Sequence, residues 1–216
     1  YADLPKGYQI TQDHAPISVG GYLPIRLGDG RMKEVRLHHI HMEEDAGKSI
    51  HASGQNFTEI DLNRAGVPLL EIVTEPDLRS ADEVAAFMRE LRRLVRYLDI
   101  SDGNMQEGSL RCDVNISLRP HGRETYGTRT EIKNLNSMRY ARQAIAFEVQ
   151  RQPELLDEGE AVVQEPRQFD PQRGQTFSLR TKEEAHDYRY FPDPDLPPVQ
   201  ITQQQINEQK YRIQEL

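Results

Sequence analysis

Alternation of apolar and polar positions with period 2 dominates the first third of the chain. Val19 to Leu27 and Glu34 to Met42 are two such stretches, joined by Gly28-Asp29-Gly30-Arg31. That cluster supplies the positive φ a tight turn requires, so a β-hairpin is expected. On its second strand Ile40 and Met42 share a face with Glu44, which puts an acid after two apolar residues on the inward side, with Gly47 permitting a turn beyond it. Thr58 to Leu62 and Val67 to Thr74 read as further strands. The latter is apolar nearly throughout, which implies burial on both faces, and Glu71 interrupts it. An unpaired buried carboxylate is costly, so Glu71 is expected to be protonated, paired or bound to a metal.

From Ser80 the period changes to 3.6. Ser80-Ala81-Asp82-Glu83 has the form of a capping box, and Val84, Phe87, Met88, Leu91, Leu94, Val95 and Leu98 keep one apolar stripe. The opposite face carries Arg89, Arg92, Arg93 and Arg96, a row that suits either a solvated helix face or RNA phosphates. Period 2 returns from Leu110 to Arg119, with Leu110, Cys112, Val114, Ile116 and Leu118 inward and Arg111, Asp113 and Arg119 opposite. Thr128 to Lys133 alternates again and places Arg129, Glu131 and Lys133 on one side. Asn134-Leu135-Asn136-Ser137 then caps a helix from Met138 to about Gln150. A hairpin is expected around Pro171 to Gly174, an extended path pinned by aromatic residues from Asp187 to Asp195, and a last helix opened by Thr202 with Gln205. The pattern predicts an α+β fold, a mostly antiparallel sheet with packed helices. Residues 1–198 form its main domain and 199–216 start the next. Tyr1 begins in the middle of a loop pattern and Leu216 ends inside a helical one, so the sequence reads as part of a longer chain.

Composition narrows the function. With 216 residues and 36% hydrophobic content the chain can bury a real core. There is no apolar run of membrane-spanning length and no signal-like opening, which favours the cytosol. The single Cys112 excludes an internal disulfide framework and a cysteine zinc cluster and reads as a core thiol. A net charge of -8 argues against a broad nucleic-acid surface while leaving room for local basic stripes.

Four acids, Glu44, Glu71, Asp113 and Glu131, lie in or at the end of strands near Lys48, Arg111, Arg119, Arg129 and Lys133. Oxygen ligands beside cations describe a Mg²⁺ site that handles phosphates, and phosphoryl transfer is the matching reaction class. Charged pairs that neutralise one another across a solvated sheet face would give the same pattern, and spacing leaves both readings open. His39 and His41 form an H-x-H pair, with no third nitrogen or sulfur ligand assured for zinc. Walker, nucleophile-elbow and dinucleotide motifs are absent from the sequence.

Seven blocks carry a family resemblance. They are Asp3-Leu4-Pro5-Lys6-Gly7-Tyr8-Gln9, His41 through Lys48, Asp61-Leu62-Asn63-Arg64, Glu71 through Asp77, Glu107 through Asp113, Lys133 through Ser137, and Asp187 through Pro192. In this order they resemble the B subunits of bacterial and organellar aspartyl/glutamyl-tRNA(Asn/Gln) amidotransferases. The resemblance implies a cradle-like α+β domain, followed by a helical domain and a tRNA-binding tail. It implies that ATP and Mg²⁺ serve to phosphorylate the side-chain carboxylate of Glu or Asp misacylated onto tRNA(Gln) or tRNA(Asn). Ammonia from a partner amidase subunit, in a complex that also holds a small C subunit, then displaces the phosphate. Carried across by motif, Glu44, Glu71, Asp113 and Glu131 become the metal-binding acids. Glu44, Glu71 and Lys133 become catalytic, and Lys48, Arg111, Arg119 and Arg129 become phosphate-binding. The family's opening segment, which adds a Glu and a His to the metals, and its tail are not in this sequence. A non-catalytic RNA-binding or assembly subunit, or a metal-dependent phosphodiesterase, would be the alternatives.

Overall fold

The computed structural model describes residues 2–51, 54, 56–179 and 190–213. Among them run strands β1 (Ser18–Val19), β2 (Tyr22–Arg26), β3 (Met32–Glu44), β4 (Lys48–Ile50), β5 (Glu59–Asp61) and β6 (Pro68–Thr74). Helix α1 (Ala81–Tyr97) is followed by β7 (Cys112–Ile116), β8 (Thr130–Leu135), α2 (Met138–Asp157), β9 (Pro166–Asp170), β10 (Gln175–Ser178) and α3 (Gln203–Arg212). The fold is α+β and rich in antiparallel pairing, as the pattern predicts. It divides into two compact units, one of residues 16–40 and 71–186, the other of 1–15, 41–70 and 187–216.

In the first unit the expected hairpin forms, with Arg26 opposite Met32 across a turn in which Gly30 takes φ 87°. The buried face of β3 is the reverse of the one expected. Val35 is fully buried and packs with Leu23, Ile25 and Phe87, and Leu37 joins them from the same odd-numbered face. Ile40 is half-buried on the even face, and further along the strand Met42 is 41% exposed. Two apolar residues near the end of a strand specify its face less strongly than the hairpin register that buries Val35. The apolar run of β6, which pairs with β3, is not buried on both faces either. Leu70 is 42% exposed and Glu71 lies exposed, so its carboxylate does not face the desolvation that the sequence implied.

The unit's second sheet has the order β10-β9-β8-β7, with β8 and β9 parallel and the outer pairs antiparallel. Val114, Ile132, Leu135 and Phe169 pack there against Ala141, Ala144 and Ile145 of α2 and Met88 of α1. Helix α1 bridges two cores, because Ala86 and Phe87 join the β2–β3 cluster while Met88 joins this one. Its capping box is half made. Ser80 accepts from the Glu83 amide at 3.2 Å, but the Glu83 carboxylate accepts from Arg79 N and from Lys33. Helix α2 starts at the expected Ser137 cap and runs seven residues past Gln150, through Pro153. Apolar periodicity cannot register these turns, because polar side chains hold them. Glu148, fully buried, accepts from Arg151 at 2.8 Å and Gln152 at 3.0 Å and pairs with Arg167 at 3.1 Å.

In the second unit β4 and β5 form a short hairpin. Asp45 is buried, accepts from Arg64 Nε at 2.8 Å, and is tied through its backbone to Val67 and Gly66. Gly47 makes no positive-φ turn. A Cβ on it would meet Asp61 O at 2.8 Å and Asp3 O at 2.9 Å, so close backbone approach is what requires glycine here. Phe191 lies 5.5 Å from the Tyr8 ring, as the extended-path reading predicts, while Asp187, Tyr188 and Arg189 lie outside the described residues. Helix α3 has the capping box of Thr202 and Gln205 and is exposed along its length. Among the described residues no helix is long and apolar enough to cross a membrane.

Candidate functional site

The β7–β8 pair presents acids and cations on its outer face. Cys112 pairs with Leu135 and Val114 with Ile132, so between these pairs β7 has only Asp113 while β8 has both Lys133 and Asn134. This is a β-bulge, which twists a strand locally and re-aims the side chain opposite it. Asn134 takes φ 61°, and its amide donates to Asp113 Oδ1 at 3.1 Å. Val114 and Ile132 point into the core, which leaves Asp113 and Glu131 on the other face. Glu131 Oε2 lies 3.5 Å from Lys133 Nζ.

Surrounding protein pushes the pKa of Asp113 up. The Asn134 amide and the charges of Lys133 and Arg111 pull against that push, Glu131 reinforces it, and the net direction is upward. Because Asp113 stands on the exposed face, solvent screens much of this effect. The neighbouring Cys112 thiol is pushed up to about 12 by burial and packs against the core, as its place on the apolar face predicts.

The other predicted cations of this unit differ in availability. The Arg119 guanidinium stacks over the Tyr126 ring at 4.6 Å and donates to the Glu124 carbonyl, whereas Arg129 is exposed. Glu71 stands exposed on β6.

In the second unit Glu44 closes β3. Its Oε1 is 2.9 Å from Lys6 Nζ, an ion pair. That contact with Glu44, and the carboxylate's charge, raise the Lys6 pKa above its ordinary value. Glu44 Oε1 is buried and accepts no hydrogen bond among the described residues. His41 is buried with Nε2 3.2 Å from Glu43 Oε1. His39 meets the His38 ring. Lys48 is exposed on β4, opposite Asp61.

The structure thus brings Asp113, Glu131, Lys133 and Arg111 into one electrostatic group, and Glu44 into another with Lys6. Sequence reasoning missed Lys6, Glu43 and Asn134. For Asn134 a signal existed, since asparagine is one of the few residues besides glycine that visits the left-handed region. Carboxylate oxygens such as those of Asp113 and Glu131 suit a hard divalent cation, and Glu44 Oε1, beside Lys6 Nζ at 2.9 Å, is a further buried oxygen of the same chemistry.

Comparison with known proteins adds a second line. The family described as GatB/GatE catalytic domain matches residues 1–207. The B subunit of the aspartyl/glutamyl-tRNA(Asn/Gln) amidotransferase of Alkalilimnicola ehrlichii is 58% identical over 216 residues, covering 100% of this chain and 45% of the relative. Its counterparts from Halorhodospira halophila and Persephonella marina are 56% and 53% identical with the same coverage. The chain spans about half the length of the curated relatives it matches, 45% in each of these three.

Proposed function

The chain belongs to the GatB/GatE catalytic domain family, and from that premise we propose that it is the phosphorylating part of a tRNA-dependent amidotransferase subunit. Its substrates are ATP and Glu-tRNA(Gln) or Asp-tRNA(Asn), and it works in a heteromeric complex with an amidase subunit and a small C subunit. Residues 1–198 constitute the catalytic domain, and 199–216 open the following helical domain. The observation that carries this reading is the grouping of Asp113 and Glu131 with Lys133 and Arg111 beside a bulge, within a chain matched to the family over 207 of its residues.

A carboxylate is a poor acceptor for ammonia, so activation must precede amidation. The substrate carboxylate oxygen attacks the γ-phosphorus of ATP, a P–O bond forms as the bond to ADP breaks, and an acyl phosphate results. Ammonia then adds to the acyl carbon, the C–O bond to phosphate breaks, and one proton passes from nitrogen to the departing phosphate. Mg²⁺ supplies neutralisation of the charge on the transferring phosphoryl group. Glu44, Glu71, Asp113 and Glu131 are the proposed ligands. Lys133, Lys48, Arg111 and Arg129 hold phosphate oxygens. In this reading Arg119 joins them, its guanidinium also stacking over Tyr126 and donating to the Glu124 carbonyl.

The test compares wild type with Glu71→Ala in the full-length protein joined to its amidase partner, measuring ADP, glutamate and amidated tRNA side by side. Loss of a group that acts on transition-state charge lowers ADP and amidated tRNA by about 100-fold or more, while glutamine hydrolysis persists at least in part. Unchanged ADP and amidated tRNA would make Glu71 structural and move the site elsewhere.

A further inference from the structure

A cavity of about 350 Å³ lies between α1 and α2, away from the β7–β8 acids. Ala85 and Arg89 line it from α1, and Met138, Arg139, Arg142 and Gln143 from α2. Arg142 pairs with Asp82, but Arg89 and Arg139 have no hydrogen-bond or ion-pair partner among the described residues. The basic residues of the groove continue as a row. Arg89, Arg92, Arg93 and Arg96 are all exposed on α1, and of these Arg93 is paired, to Glu90 at 2.9 Å.

The arrangement gathers positive charge on one groove. The first turn of α2 has no acid, and Arg139 sits in it, so a cation stands at the end of the helix whose dipole is already positive. Arg89 faces the same cavity from the neighbouring helix, and the two guanidiniums lack a carboxylate between them. An anion placed in the groove would find both guanidiniums and the helix N-terminus available to it.

The geometry points to the phosphate backbone of the tRNA as that anion, with Arg89 and Arg139 holding phosphates in the groove and Arg92 and Arg96 extending the track along α1. This rests on the amidotransferase reading. Two features favour nucleic acid over an acidic peptide. Every cation of α1 and α2 is arginine, whose planar fork matches phosphate oxygens in pairs. Arg89 to Arg96 also spans about 10.5 Å along a helix, long enough to meet successive phosphates of one strand.

The experiment measures binding of misacylated tRNA to the full-length protein with its amidase partner over a series of KCl concentrations. It compares wild type, Arg89→Ala/Arg139→Ala, Arg89→Lys/Arg139→Lys, and the charge-matched control Arg123→Ala/Arg173→Ala. Losing two phosphate contacts should lower low-salt affinity by roughly tenfold and reduce the slope of log K against log salt by about 1.4 to 1.8. The lysine pair should restore the slope, and the control should keep wild-type affinity and slope. Equal affinity and slope in the alanine pair would overturn the proposal. So would loss of amidase binding in that variant, which would make the groove a protein interface. A wild-type complex that neither binds nor amidates the misacylated tRNA would instead defeat the amidotransferase reading itself, and the groove proposal with it.

Discussion

The backbone amide of Asn134, in the left-handed conformation at φ 61°, donates to the carboxylate of Asp113 across the β7–β8 bulge at 3.1 Å. The bulge gives β8 one residue more than β7, and the extra residue is the one that turns its N–H onto the acid. Backbone geometry, rather than a side chain, thus fixes one oxygen of Asp113 while the other stays free of this bond.

Asn134 separates backbone conformation from side-chain chemistry. Asn134→Ala places a Cβ in the left-handed region without asparagine's local hydrogen bonding and should cost about 1 kcal/mol in urea unfolding. Asn134→Gly keeps the N–H and removes the strain, so it should stay within about 0.5 kcal/mol of wild type. An alanine variant as stable as wild type would mean the bulge does not hold this conformation in solution.

Gly47→Ala tests the crowding between β3 and β4. The added methyl meets two backbone oxygens and Leu62 Cδ2, all within 2.9 Å, and backbone cannot step aside as a flexible side chain would. Overpacking of this kind should destabilise by ~1–3 kcal/mol. Limited proteolysis should show the effect as faster cleavage within residues 41–70, and an unchanged cleavage rate would contradict the packing.

Acid should destabilise the protein, and two carboxyls, Asp77 and Glu148, contribute to that loss. The hydrogen bond from the Arg36 side chain to Asp77 holds its pKa down from 3.8 to about 2. For Glu148, burial pushes the pKa up, but hydrogen bonds from Arg151, Thr176 and Gln152 outweigh it, and the net direction is below 4.5. Both values are depressed in the folded state, so each contribution is complete above the unfolded pKa and is lost as pH falls through the folded one. The urea midpoint should therefore hold level down to about pH 5 and decline below it. Asp77→Asn should flatten the lowest part of that decline, and an identical profile for the variant would remove this pair from the account.

Much of the fold was legible in the residues. The β2–β3 and β9–β10 hairpins, the cap and apolar stripe of α1, the alternation of β7 and β8, and the Thr202 cap follow from local chemistry, because turn glycines, capping side chains and periodicity act over a few neighbours. The acids and cations of the outer β7–β8 face could be read the same way, since alternation alone separates Asp113 from Val114. Tertiary structure decided what depends on partners distant in sequence. Which face of β3 is buried was set by Leu23, Ile25 and Phe87 packing on Val35, and the length of α2 by the salt-bridged Glu148. The bulge that turns the Asn134 amide onto Asp113 arises only when β7 and β8 pair out of step. No single strand carries that mismatch, because a register belongs to two strands at once.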